Sequence, residues 1–248
     1  MDPRIAIIEN RLTAINRLIA IGSGKGGVGK SMIASTTALT LARQGYCVGL
    51  FDIDFTSPST HVILNVEDLV PEEEKGLIPP YVHGLHYMSI TYFSRNAPTP
   101  LRGVDASNAL IELLAITRWS DLDYLIFDMP PGIGDLTLDV IRLIPHLAFI
   151  LVTTPSRVSF ETVRKLLQLL QEQRVPIIGV IENMKRGVSS YIQNNVQQLG
   201  HTYLGAIPFD NHLEAAIGNV PAIQTSSFMT AVDTIMTHNA FREFKDVS

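Results

Sequence analysis

The sequence predicts an α/β protein: a mostly parallel, twisted sheet with helices on both faces. Short β-branched or aromatic runs alternate along the chain with stretches of helical period, the signature of a parallel sheet wrapped by helices. The first such run, Leu18-Ile19-Ala20-Ile21, leads straight into a glycine-rich segment that opens a helix. With 248 residues, 46% hydrophobic and 17% charged, the chain can bury one large core. Residues 1–17 read as an N-terminal helical extension and 18–248 as a single domain.

Taken in order, Ile5, Ile8, Leu12 and Ile15 stand at helical spacing, while Arg4, Glu9, Arg11 and Arg17 interrupt any signal-peptide core. After the strand at 18–21, residues 32–44 read as a helix closed by Gly45. Further strands are expected at 47–52, 87–92, 124–128, 148–153, 177–181 and 203–207. Helices are expected at 107–117, 136–144, 160–174, 191–199 and 228–244. Residues 66–84, with Pro71-Glu72-Glu73-Glu74-Lys75 and Pro79-Pro80, are polar and poorly periodic, and read as a surface excursion.

The glycine-rich segment is Gly24-Lys25-Gly26-Gly27-Val28-Gly29-Lys30-Ser31, which satisfies the phosphate-loop pattern G-x-x-x-x-G-K-[ST]. Its glycines let backbone N–H groups close around phosphate oxygens at a helix start, where the macrodipole also favours anions. Nucleotide contacts are therefore expected from Gly24 through Met32. Lys30 belongs on the β and γ phosphates, and the Ser31 hydroxyl on Mg²⁺. The predicted fold is thus of the P-loop NTPase type.

Three later segments supply the rest of a reaction site. Phe51-Asp52-Ile53-Asp54 places two carboxylates at the end of the second strand, the end that faces the ligand crevice in open α/β sheets. Asp52 is assigned to hydrated Mg²⁺ and Asp54 to orienting or deprotonating the attacking water; the plainer reading is solvated loop carboxylates or helix caps. Tyr124-Leu125-Ile126-Phe127-Asp128 is an apolar strand ending in an acid, which adds Asp128 to the metal set. Asp135, after Pro130-Pro131-Gly132-Ile133-Gly134, is expected to cap the next helix. Asn183, in Ile181-Glu182-Asn183-Met184-Lys185, lacks the adjacent lysine and acid of a guanine-reading motif, so adenine is expected, with the Asn183 amide near the base or stabilising a turn.

Together these motifs resemble the Mrp-type ATPases, within the deviant-Walker class that includes MinD, ParA, the nitrogenase iron protein and arsenic-pump ATPases. The resemblance rests on Lys25 to Ser31, Asp52 and Asp54 with Pro58-Ser59, Leu101-Arg102-Gly103, Asp128-Met129-Pro130-Pro131-Gly132 with Gly134-Asp135, and Glu182-Asn183-Met184. It implies an ATP-bridged homodimer in which Lys25 reaches the partner's nucleotide, Asp54 acts at the water and the segment after Asp128 switches. It also implies that Pro208-Phe209-Asp210 approach the adenine. Many Mrp-type proteins carry C-x-x-C shortly after E-N-M, where two chains share an iron–sulfur cluster. Here the stretch is Lys185-Arg186-Gly187-Val188-Ser189-Ser190-Tyr191, so no bridging all-thiolate cluster is expected there. Ile133 and Ser57 also depart from the family's usual Thr and Gly.

Composition narrows the partners. The net charge of −5 argues against a broadly basic nucleic-acid surface. One cysteine, Cys47, excludes an internal disulfide. No apolar run is long enough to span a bilayer, and a cytoplasmic ATPase is expected. The leading reading is a Mg²⁺-dependent dimeric ATP switch in iron–sulfur or metallocofactor maturation, acting on a client protein. The alternatives are a positioning ATPase of the MinD/ParA type and a nucleotide-dependent regulator or chaperone of one metalloenzyme. Membrane attachment is disfavoured, because the nearly neutral C-terminal helix lacks a basic polar face.

Overall fold

The structure, a computed structural model, describes residues 2–66, 69–94 and 103–244. Leu101 and Arg102 of the motif set lie outside them. The elements run α1 (Pro3–Leu12), β1 (Leu18–Ser23), α2 (Lys30–Arg43), β2 (Val48–Asp52), α3 (Thr60–Leu64), β3 (Glu72–Glu73), β4 (Leu77–Ile78), β5 (Tyr81–Val82) and β6 (Leu85–Ser89). Next come α4 (Thr91–Ser94), α5 (Val104–Ile116), β7 (Tyr124–Asp128), α6 (Asp135–Leu143), β8 (Ala148–Thr153), α7 (Arg157–Glu172), β9 (Ile177–Lys185) and α8 (Tyr191–Gln198). The chain closes with β10 (Tyr203–Pro208), α9 (Leu213–Ala216), α10 (Val220–Gln224), α11 (Ser227–Met236) and α12 (Asn239–Arg242).

Eight strands form one sheet in the order β10-β9-β8-β1-β7-β2-β6-β5, parallel except for the edge pair β5–β6. Its central strands are apolar on both sides, as a sheet covered by helices demands. In β7, Leu125 and Phe127 pack with α1, α5, α6, α7 and α8 on one face. Tyr124 and Ile126 pack on the other, with α2, α3, α10, α11 and α12. The two-residue period of a strand thus sorts one sequence into two cores.

Four expectations are corrected. Tyr92 is in α4 rather than a strand, since β6 ends at Ser89. The helix expected over 228–244 breaks into α11 and α12, and the His238 ring nitrogen takes the Ala240 N–H at the new start. Asp135 opens α6 as its first residue; Gly134 is the N-cap, without a side-chain cap. The excursion at 66–84 contributes to the sheet, because Tyr81–Val82 pairs antiparallel with β6. Of the N-terminal apolar residues, Ile8 and Leu12 are buried against the α5 side, whereas Ile15 lies past α1 and bridges Leu122.

The topology fixes where chemistry can occur. β1, β2 and β7 lie side by side, with Asp128 in register with Ile21 on one neighbour and Asp52 on the other. Their carboxyl ends therefore open together, directly under the loop that enters α2.

Candidate functional site

The loop between β1 and α2 is shaped by close approaches. Gly24 lies against α7, where an added Cβ would sit 2.4 Å from the Thr162 backbone. Gly29 is the N-cap of α2 at φ 82°, a left-handed conformation favouring glycine, and a Cβ there would come within 2.3 Å of the Asn183 amide nitrogen. The start of α2 has neither a side-chain cap nor an acidic residue in its first turn. Its N–H groups and the positive end of its dipole face the cleft without a protein anion, as an anion site requires.

Lys30 is 6% exposed and forms the floor. Its Nζ donates to Asp128 Oδ1 at 2.6 Å and to Ser31 Oγ at 3.3 Å, and stands 3.7 Å from Asp54 Oδ2. The other Asp128 oxygen, Oδ2, is buried without a hydrogen-bond partner. Burial pushes the Asp128 carboxyl above the ordinary range, while the Lys30 ammonium pulls it back. An unmatched carboxylate oxygen beside a serine hydroxyl is the donor chemistry that suits a hydrated Mg²⁺.

Asp52 and Asp54, two residues apart, have separate environments. Asp52 is fully buried; its Oδ1 accepts from the Asp54 N–H, and its Oδ2 from the N–H groups of Ser59 and Thr60 and from Thr60 Oγ1. Burial raises its pKa, and the Thr60 hydroxyl is the chief group opposing the rise. Asp54 uses Oδ1 to receive Thr56 N–H, Thr56 Oγ1 and Ser57 N–H, leaving Oδ2 toward Lys30. Asp54 lines the cleft, whereas Asp52 holds the β2–α3 loop from beneath.

The cleft itself is about 700 Å³. Lys25, Gly26, Gly27, Gly29, Lys30, Ser31 and Met32 of the loop and helix start line it, and so do Asn183, Pro208, Phe209 and Asp210. Gly24 and Val28 support the loop from behind it. Lys25 is exposed and forms no ion pair with a described residue. Asn183 is 2% exposed; its amide donates to Val28 O at 2.8 Å, and its oxygen accepts from Met184 N–H. Asp210 spends its carboxylate on His212 N–H and Ser227 Oγ, closing its own turn.

Sequence reasoning missed the apolar wall made by Leu213, Ile217 and Phe228, and the contribution of Met184, which sits at φ 58°. The run Leu213 to Ile217 after Pro208-Phe209-Asp210 was an available signal. Met184 gave none, since its left-handed backbone follows from the folded strand end.

Fold and site together define a P-loop NTPase of the MinD/ParA type. Residues 14–240 match the family model described as ParA, NUBPL iron-transfer P-loop NTPase, and the chain belongs to that family. It is 39% identical over 177 residues to the iron–sulfur cluster carrier protein of Pseudomonas fragi, covering 70% of this chain and 62% of that protein. It is 34% identical over 218 residues to that of Aquifex aeolicus, covering 82% and 60%. The chain thus spans less than two thirds of these relatives' length. Among solved structures, it resembles a nucleotide-binding protein from Archaeoglobus fulgidus in complex with ADP (TM-score 0.73, 26% identity, covering 97% and 96%). The septum site-determining protein MinD of Pyrococcus horikoshii, complexed with Mg-ADP, shares the fold at TM-score 0.65 and 20% identity, covering 88% and 93%.

Proposed function

We propose that this chain is a Mg²⁺-dependent ATPase switch that closes as a homodimer around ATP and serves iron–sulfur or metallocofactor maturation without a bridging cluster of its own. The observation that carries this reading is the placement of Lys30 between Asp128 and Asp54 on the floor of a cleft whose loop and helix start offer N–H groups to an anion. The carrier-protein relatives and the ADP-bound structural neighbour support the cellular role and the ligand class.

In this mechanism the loop from Gly24 to Ser31 encloses the phosphates, and Lys30 exchanges its contact with Asp128 for one with the β and γ phosphates. Ser31 and Asp128 would hold Mg²⁺, which would neutralise phosphate charge when bound. Asp52, expected at the Mg²⁺, has both carboxylate oxygens engaged by the β2–α3 loop and so acts one layer below, fixing the loop that carries Asp54. Asp54 orients the attacking water through the oxygen facing Lys30, and the Pro130 to Gly134 loop responds to the γ phosphate. The partner chain supplies Lys25, and closure changes the affinity for a client apoprotein.

Calorimetry with Mg²⁺ tests the nucleotide: ATP is expected to bind clearly more tightly than GTP. Equal affinities would remove the adenine assignment. Asp54→Ala is expected to retain ATP and accumulate the closed dimer while losing turnover by about a hundredfold or more, as when a water-positioning group is removed. Single-turnover hydrolysis at the wild-type rate would leave Asp54 a purely structural cap.

Of the two forms of the positioning-ATPase alternative, holding DNA or a membrane, the membrane form needs a free apolar helix face. Phe228, Met229, Val232, Ile235 and Met236 of α11 are instead buried in the core. Among the described residues no helix is long and apolar enough to cross a membrane.

A further inference from the structure

We infer that Arg186 is a positioning residue for the base end of the nucleotide, its guanidinium holding the Phe209 ring as a stacking platform on the cleft wall. The inference rests on the ATP reading above. Phe209 is 40% exposed and lines the cleft, so its ring surface is available to a ligand there. Two contacts fix it. Its N–H donates to Lys185 O at 3.0 Å, and the Arg186 guanidinium carbon lies 3.8 Å from the ring centroid.

That distance is well inside the range of a cation–π contact, and Arg186 forms no ion pair with a described residue that would compete for it. Phe209 borders the cleft while Arg186 does not, so the guanidinium is inferred to back the ring from outside the cleft. The inner face is left to a flat partner. Leu213, Ile217 and Phe228 line the same cleft and add apolar surface suited to a planar base.

The placement also joins the two ends of the ligand. β9 ends in Glu182-Asn183-Met184-Lys185, and Arg186 follows directly. Asn183 holds the phosphate loop through Val28 O, while Lys185 O and Arg186 hold Phe209. The buried Glu182 carboxylate anchors this strand end, accepting from Lys185 Nζ at 2.8 Å and Tyr203 Oη at 2.7 Å. One short stretch therefore sets the spacing between the phosphate cradle and the base platform.

The test is calorimetric binding of ADP and of inorganic tripolyphosphate, a probe that meets the loop but has no base. Wild type, Arg186→Ala, Arg186→Lys, Phe209→Ala and the double Ala variant are compared. Arg186→Ala is expected to weaken ADP about three- to fivefold, with tripolyphosphate unchanged and part of the loss recovered by Arg186→Lys. The double variant is expected to bind ADP no more weakly than Phe209→Ala, because Arg186 acts through that ring. Equal losses for ADP and tripolyphosphate, strictly additive losses in the double variant, or unchanged ADP affinity in Arg186→Ala would each overturn the inference. Failure of the wild type to bind ADP would instead overturn the ATP reading beneath it.

Discussion

Lys30→Ala is expected to weaken ATP binding by about a hundredfold or more, since charge-assisted hydrogen bonds of about 1.5–3 kcal/mol each are lost at two phosphates. The same change has a second consequence, for stability. Lys30 is the cation between two carboxylates that are almost wholly buried, and Asp128 lies only 2.6 Å from it. Removing one partner of such a pair leaves an uncompensated buried charge, at a cost of about 3–5 kcal/mol. A lowered melting temperature is therefore expected alongside the lost affinity. Lys30→Ala/Asp128→Asn separates the two effects, because neutralising the stranded carboxylate should recover much of the stability but none of the binding. Calorimetry on both variants, with Asp128→Asn alone as reference, checks the assignment. Wild-type ATP affinity in a folded Lys30→Ala protein would exclude Lys30 from the phosphates.

The sequence made strands legible where burial on both faces leaves no polar interruption. Residues 124–128 and 148–153 fold as expected for that reason. β9 was read too short, ending at Ile181, because Glu182 and Asn183 look like the start of a loop. In the fold both are buried and bonded, Glu182 to Lys185 and Tyr203, Asn183 to Val28. A polar residue whose partner arrives from a distant strand or loop carries no local signature. The break between α11 and α12 was equally silent, as neither glycine nor proline marks Thr237-His238.

The same limit explains the site. The phosphate loop was plain, since its spacing itself encodes the chemistry. Asp52 and Asp54 were indistinguishable in kind until tertiary partners separated them: four donors converge on Asp52, while one oxygen of Asp54 remains beside Lys30. The contact of Arg186 with Phe209 joins the residues that directly follow two successive strands and could not be read from either segment alone.

Lys25 carries the remaining large effect. The Lys25 ammonium is exposed and without an ion-pair partner among the described residues. Triphosphate charge gives it one, and the proposed dimer sends it to the partner's nucleotide. Lys25→Ala is accordingly expected to leave ADP binding to the monomer nearly intact, weaken ATP-driven dimerisation and reduce turnover by about a hundredfold, because the missing contact exists only in the closed state. A cis role would lower turnover too, so the deciding measurement uses mixed chains. Pairing a Lys25→Ala chain with a Lys30→Ala chain places one intact phosphate cradle opposite a partner that retains Lys25. That single composite site is expected to hydrolyse ATP, raising the mixture well above either variant alone and giving each heterodimer up to half the activity of a wild-type dimer. Inactivity of a mixture whose heterodimer forms with ATP on size-exclusion chromatography would place Lys25 in its own chain's site.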